Sequence, residues 1–360
     1  MSEDTVRRGA RTAIPILLIT LLSLLVPGCR LTDGAGAGDP PRVTGTAAEQ
    51  AKPSGRKPGV VNIETEQSLN GTRAAGTGIV LDPSGLVLTN NHVIQGATRI
   101  NGTDTDNRRT YTARVVGYDR AGDIAVIRLT GASRLKAAVF ASAARVAVGD
   151  PVTAVGNAGG KGGSPTVVTG RVTALEQSVT ARDDTNGTSE RLSGLIETNA
   201  PIKPGDSGGP LLNTAGKVIG INTAASAGLT VDGSKPAEDH RGYAIPSDRA
   251  LSVARQIQRG ESSSTVHIGP TAMLGVKVRA GGGTPGAVVA EVVAGSPAET
   301  AGVPVGAAIV SFGGQAVDSP GTLTGLVLAR RPGDVVRLEW TTAQGALMVT
   351  EVRLTEGPPQ

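Results

Sequence analysis

With a single cysteine, Cys29, in 360 residues, the chain can form no intramolecular disulfide, and its fold must stand without covalent staples. Aromatic residues are nearly as scarce, at 2 %: one Trp, three Tyr and two Phe. Any core is therefore aliphatic, built from Val, Ile, Leu and Ala. Histidine occurs only at His92, His240 and His267. No metal-ligand spacing is visible, so neither a metal nor a cofactor is expected. The 35 Lys and Arg against 31 Asp and Glu leave a modest net charge of +4. No basic cluster is interleaved with aromatics, which removes the usual footprint of nucleic-acid binding.

A membrane-spanning run is also missing. The longest apolar stretch, AIPILLITLLSLLVPG at residues 13–28, would rise only about 24 Å as a helix, short of the ~30 Å hydrocarbon core. Arg7, Arg8 and Arg11 precede it, so the first 29 residues read as an export segment rather than a span. The run ends in VPGC, similar to a bacterial lipobox, in which Cys29 would become a lipidated first residue. An uncleaved anchor and ordinary secretion are the alternatives. All three put the remainder outside the cytoplasm, in the bacterial cell envelope, with a lipid or apolar anchor as its membrane contact. Residues 30–58 are rich in Gly, Pro and Ala with scattered charge, the composition of a flexible tether.

What the chain does have is glycine, 51 residues of it, punctuating short apolar runs. GTGIVL, DPSG and LVLT at residues 76–89 read as a hairpin. YTARVVGY, DIAVIRL, DPVTAVG, TVVTGRVTAL, LIETNA and KVIGINTA continue the pattern. Strands of this length, with no long helical period between them, argue for an all-β barrel or sandwich over residues 59–261. One helix is expected at SDRALSVARQIQRG, with Ser247 as N-cap and Gly260 as stop. After the joint ESSSTVH, a smaller α+β module is expected at residues 266–356, with strands at LGVKVR, GAVVAEVV, AAIVSFGG, VVRLEW and LMVTEVRL and a helix at GTLTGLVLARR.

The chemistry concentrates in KPGDSGGPLLN, residues 203–213, where Ser207 stands among glycines. Gly, Asp, Ser and Pro are also the vocabulary of ordinary turns. A serine hydroxyl becomes a nucleophile only with a base to take its proton and a third group to orient that base. His240 and His267 fall in polar loops. His92 falls in LVLTNNHVI, where a strand ends and a side chain projects from a sheet edge. Asp123, in AGDIAVIRL, leads directly into an apolar strand, so its carboxylate is drawn inward and needs a partner. Asp119 is the competitor, but GYDRAG looks like a turn.

The order His92, Asp123, Ser207 is that of the chymotrypsin type. TNNHVI, GDIAVIRL and PGDSGGPLLN, with LIETNAPIK, GKVIGINTA and YAIPSD, resemble successive blocks of the HtrA (DegP-like) serine proteases across residues 60–355. The resemblance implies a mainly β chain: a chymotrypsin-like double β-barrel followed by a small PDZ domain. It implies Ser207 as nucleophile, His92 as base and Asp123 as its orienter, with the N–H groups of Gly205 and Ser207 as an oxyanion hole. The primary pocket would be lined by Ala200, Pro201, Ile202, Asn222, Thr223 and Ala224, none of them able to greet Lys or Arg, so cleavage after small or medium aliphatic residues is expected. Asp206 departs from the Asn usual in this family. MLGV at residues 273–276 resembles the carboxylate-binding loop of a PDZ domain, with Leu274, Gly275 and Val276 holding a peptide C-terminus. The implied partners are unfolded or misfolded proteins, and a homotrimer is possible although residues 30–59 lack the aromatics such trimers use. A chaperone-like or scaffold binding protein with little proteolysis is the rival function.

Overall fold

The structure is a computed structural model that describes residues 59–68, 71–182, 189–225, 229–230, 241–281 and 284–360. The export segment, the tether, Cys29 and His240 lie outside the described residues.

The first six strands are β1 (Val60–Gln67), β2 (Thr72–Val80), β3 (Leu86–Thr89), β4 (Arg99–Asp104), β5 (Thr110–Asp119) and β6 (Ile124–Leu129), with a one-turn helix α1 (Asn91–Ile94) between β3 and β4. They pair antiparallel in the order β5-β4-β1-β2-β3-β6, and β5 pairs with β6 to close the ring. β2 and β3 form the expected hairpin, Ile79 opposite Leu88.

A second ring follows. β7 (Pro151–Gly156), β8 (Thr166–Arg182) and β9 (Ser189–Thr198) precede β10 (Pro210–Leu212), β11 (Val218–Ala225), β12 (Leu229–Thr230) and β13 (Gly242–Pro246). The order β8-β7-β10-β11-β13-β9 closes through β8–β9, with β12 added outside on β8. Closure pairs every strand of each ring with a neighbour on both sides. The double barrel is thus as expected.

β6 shows why these strands read as unbroken apolar runs. Ala125, Ile127 and Leu129 point into the first barrel, packing with Val61, Ile63 and Val87. Ile124 and Val126 point the other way, into a cluster shared with Leu195, Ile221, Tyr243 and Ile257 between the barrels. Both faces are buried, so both are apolar. Burying a Val, Leu or Ile contributes about 1.5–3 kcal/mol, which is how a chain with two percent aromatics assembles such a core.

Helix α2 (Ser247–Gln258) packs over this cluster through Ala250, Ala254 and Ile257. Pro246, not Ser247, occupies its N-cap position; the Ser247 hydroxyl instead donates to the Ala141 carbonyl at 2.7 Å. A partner from another loop took the hydroxyl that the local pattern assigned to capping. Gly260, at φ +72°, follows the last turn.

The joint after α2 also differs from expectation. Strand β14 (Val266–Ile268) adds to β5 of the first barrel, with Val266 opposite Asp119, so these residues extend the barrel sheet rather than opening the smaller module. That module comprises β15 (Thr271–Met273), β16 (Val276–Gly281), β17 (Thr284–Val292), α3 (Pro297–Thr300), β18 (Ala308–Phe312), β19 (Gln315–Ala316), α4 (Pro320–Leu328), β20 (Val335–Thr341), β21 (Leu347–Arg353) and β22 (Thr355–Gly357). Its main sheet runs β16-β17-β18-β20-β21, and β15 pairs with β22. Phe312, Trp340, Ile309 and Leu338 fill its core. Ser319 caps α4 by accepting the Thr322 N–H at 3.1 Å. The Tyr118 hydroxyl of the first barrel meets Thr271 Oγ1 at 3.1 Å and accepts the Gln360 N–H at 3.3 Å, tying the module to the barrel.

Candidate active site

Thr89 ends β3, Asn90 stands at the N-cap position of α1, and His92 is the second residue of that helix. The β5–β6 turn brings Asp123 beside them. Asp123 has φ +52°, a left-handed conformation that Asp tolerates better than most residues. Its carboxylate, 5 % exposed with the rest of the residue, accepts the backbone N–H of His92 at 3.0 Å. His92 Nδ1 lies 3.0 Å from Oδ1 and 2.9 Å from Oδ2. Asn90 Nδ2 donates to the Asp123 carbonyl at 2.8 Å, fixing the turn from beneath. Asp119, the competitor, faces away: it accepts the Gly122 N–H at 3.1 Å, and burial raises its pKa.

Ser207 comes from the second barrel, in the loop before β10. Three glycines there are required by backbone proximity. Gly205 has φ +96° and Gly208 +85°. A Cβ on Gly205 would strike the Asn157 carbonyl, one on Gly208 the Thr77 carbonyl, and one on Gly209 the Val155 carbonyl. The loop's N–H groups divide into two sets. Asp206 donates to Lys203 O, Gly208 to Asn222 O and Gly209 to Asp206 O, whereas those of Gly205 and Ser207 have no backbone acceptor among the described residues. The Pro204 carbonyl accepts the Gly159 N–H at 2.7 Å. Because a trans peptide points its N–H opposite its C=O, that bond aims the Gly205 N–H away from Gly159. The Gly205 carbonyl is held in turn by Thr77 Oγ1 at 2.7 Å, and the Ser207 carbonyl by Thr77 N–H at 2.8 Å.

Thr223 joins the two halves. The pairing of β11 with β13 shifts register between Asn222 and Ala224, a bulge that re-aims the extra residue. Its hydroxyl donates to Asp123 Oδ2, and its carbonyl lies 3.3 Å from Ser207 Oγ, which donates to it. His92, Asp123 and Ser207 are therefore brought together around one threonine. The side chain of His92 is 45 % exposed while that of Asp123 is 7 % exposed: the acid is sealed and the imidazole faces the solvent side.

The pocket residues fare differently. Ala200 and Ile202 pack in the apolar interior of the second barrel with Leu211 and Ile219, and Pro201 alone of that run keeps partial exposure. Asn222 is buried, its Nδ2 3.4 Å from the Val155 and Pro210 carbonyls. Thr223 turns to Asp123, and Ala224 pairs with Tyr243. Ala200, Ile202 and Asn222 are thus packed into the interior, and a side chain buried on every side has no face left to offer a ligand. Thr77 is the residue that sequence reasoning missed; as one threonine in a strand it carries no local signal.

In the second module, the carbonyl of Leu274 accepts the Ala298 N–H and that of Gly275 the Val293 N–H, each at 2.9 Å. By the same trans-peptide logic the N–H groups of Gly275 and Val276 point the opposite way. Gly275 has φ +84°, and a Cβ there would strike Ser296. β16, which Val276 begins, is an edge strand of its sheet.

Comparison with known proteins identifies both folded regions. Residues 76–221 match the trypsin-like peptidase domain family and residues 272–342 the PDZ domain family. The chain is 35 % identical over 307 residues to serine protease PepD of Mycobacterium tuberculosis, an alignment covering 82 % of this chain and 64 % of PepD. It is 34 % identical over 312 residues to the periplasmic pH-dependent serine endoprotease DegQ of Escherichia coli, covering 82 % and 63 %. It is 32 % identical over 292 residues to the serine protease Do-like HtrB of Bacillus subtilis, covering 72 % and 60 %. The chain thus spans less than two thirds of the length of these relatives.

Proposed function

The chain belongs to the HtrA (DegP-like) family of trypsin-like serine proteases with a PDZ domain, and from that premise we propose that it is a serine endopeptidase acting on exposed or misfolded polypeptide outside the cytoplasm. The observation that carries the reading is the chain of contacts from His92 Nδ1 through Asp123 to Thr223 and Ser207 Oγ. With Nδ1 donating to the carboxylate, Nε2 is left as the base. Ser207 Oγ attacks the scissile carbonyl as its proton passes to Nε2, and the same imidazolium then protonates the leaving amine. Asp123 keeps the tautomer and stabilises the charged ring. The N–H groups of Gly205 and Ser207 receive the oxyanion, each such donor being worth about 3–4 kcal/mol of barrier.

Cleavage falls after small or medium aliphatic residues, a preference supported by Pro201, the one partly exposed residue of 200–202, which brings no charge to the loop before Ser207. The PDZ module takes peptide C-termini, their carboxylate on the N–H groups of Gly275 and Val276 and their strand beside β16. Export and membrane tethering are supported by the basic and apolar run ending at Cys29.

The test is labelling with a fluorophosphonate probe, alongside degradation of an unfolded protein with the new termini read by mass spectrometry. Labelled wild-type protein, unlabelled S207A and termini dominated by Val, Ala or Leu are expected. Wild-type protein that resists the probe yet suppresses client aggregation would overturn the enzyme reading in favour of a binding protein.

A further inference from the structure

Asp206, the residue before the nucleophile, is 2 % exposed. Its Oδ2 accepts the Lys203 N–H at 2.9 Å, while its own N–H donates to the Lys203 carbonyl at 2.9 Å. These two bonds close residues 203–206 into a ring. Its Oδ1 lies so near β7 that a Cβ on Gly156 would meet it. The elements around it, residues 156–157, 166 and 203–209, bring one titratable group, Lys203, whose side chain is exposed. Oδ1 is 3.1 Å from Thr166 Oγ1. That oxygen has two further neighbours: the Gly156 carbonyl at 2.9 Å and the Ala158 N–H, which donates to it at 3.3 Å.

A hydroxyl carries one proton and two lone pairs. If Asp206 were a carboxylate, the single Thr166 proton would face two acceptors, Asp206 Oδ1 and Gly156 O, and satisfy one. If Asp206 carries a proton, every contact is matched. The acid donates to Thr166 Oγ1, Thr166 donates to Gly156 O, and the second lone pair takes the Ala158 N–H. We infer that Asp206 is a positioning residue that holds the oxyanion loop as a neutral carboxylic acid, its proton donated to Thr166. Burial acts in the same sense, pushing the Asp206 carboxyl up against the opposing pulls of the Lys203 N–H and the Lys203 charge; the Thr166 hydroxyl would add to that opposition only if it donated to a carboxylate.

The consequence concerns the Gly205 N–H. The ring at residues 203–206 sets the direction of the Pro204 carbonyl, and that carbonyl sets the direction of the N–H. Ionising Asp206 turns the Thr166 proton away from Gly156 O and frees the end of the β7–β8 pairing beside the loop. Raising the pH through the Asp206 titration therefore weakens oxyanion binding. This consequence rests on Ser207 being the nucleophile; the protonation state does not.

The first test accordingly needs no activity. Infrared difference spectra of full-length S207A against S207A/D206N are expected to show the carbonyl stretch of a protonated acid at neutral pH, present only with Asp206. Carboxylate bands alone would overturn the proposal while leaving the nucleophile assignment untouched. In active protein, kcat is expected to fall on an alkaline limb by up to about 10²-fold, the scale of one oxyanion donor, and D206N to lack that limb. T166A decides the direction of the hydrogen bond: removing an acceptor from the acid moves the limb to lower pH, and T166S keeps it in place. A shift to higher pH in T166A would mean that Thr166 donates to a carboxylate, and would sink the inference.

Discussion

The two barrels reach the same site by different physics. The first holds Asp123 and His92 through side-chain hydrogen bonds: the carboxylate accepts the His92 N–H, the His92 ring and the Thr223 hydroxyl. The second holds Ser207 through its main chain, with Gly205, Gly208 and Gly209 pressed against the carbonyls of Asn157, Thr77 and Val155. A side-chain network can be edited atom by atom and loses function in steps. A backbone packed against backbone has no such intermediate states, because any added atom moves the whole loop. The barrels also exchange one threonine each. Thr77 of β2 grips the Ser207 loop, and Thr223 of β11 grips Asp123.

The largest test of this contrast is D123N. Asn tolerates the φ of +52°, so the first barrel should fold unchanged. Its amide would donate to His92 Nδ1, put the ring proton on Nε2 and leave no base for Ser207. A loss of about 10⁴-fold in kcat is expected, with an unchanged circular dichroism spectrum. A loss smaller than about tenfold would mean that Asp123 does not set the tautomer.

On the other side the corresponding test is G205A. The methyl would have to displace the Asn157 carbonyl, turning the residue-205 N–H out of line. A fall in kcat of about 10²–10³-fold is expected, with probe labelling slowed and KM changed far less. If alanine is accommodated at full activity, the main-chain half of the comparison fails.

How much of this was legible follows the same division. Ser207 with its glycines, His92 at a strand end and Asp123 before an apolar run carry their chemistry in neighbouring residues, and the structure brings the three together around Thr223. The barrel strands declared themselves through apolar runs that are buried on both faces, as in β6. Contacts across the seam had no such signal. Thr77 looks like any strand threonine until the Gly205 carbonyl lies 2.7 Å from it. Thr223 read as a pocket residue because its strand follows the Ser207 loop; the bulge that turns it to Asp123 is a register event between distant strands. Val266–Ile268 joined the first barrel by pairing with a strand some 150 residues earlier, which local periodicity does not encode.

T223V sharpens the comparison at smaller scale. Valine fills the same volume and removes only the hydroxyl on Asp123 Oδ2. A hydrogen bond to a charged group is worth about 1.5–3 kcal/mol, so kcat should fall roughly 10- to 100-fold with the pH profile displaced and the fold intact.

The smallest effect is expected from T77V, which edits the opposite grip. The Thr77 hydroxyl donates to the Gly205 carbonyl at 2.7 Å and accepts the Asn157 N–H at 2.9 Å. Both partners are neutral, so the loss should be about 1–2 kcal/mol in stability, measured by urea unfolding of S207A with and without T77V. The backbone bond from Thr77 N–H to the Ser207 carbonyl survives the substitution, and so do the glycine contacts. Activity should therefore drop by no more than about tenfold. If T77V instead matched G205A in its loss of kcat, one hydroxyl would be holding the loop, and the second barrel would be organised by side chains just as the first is.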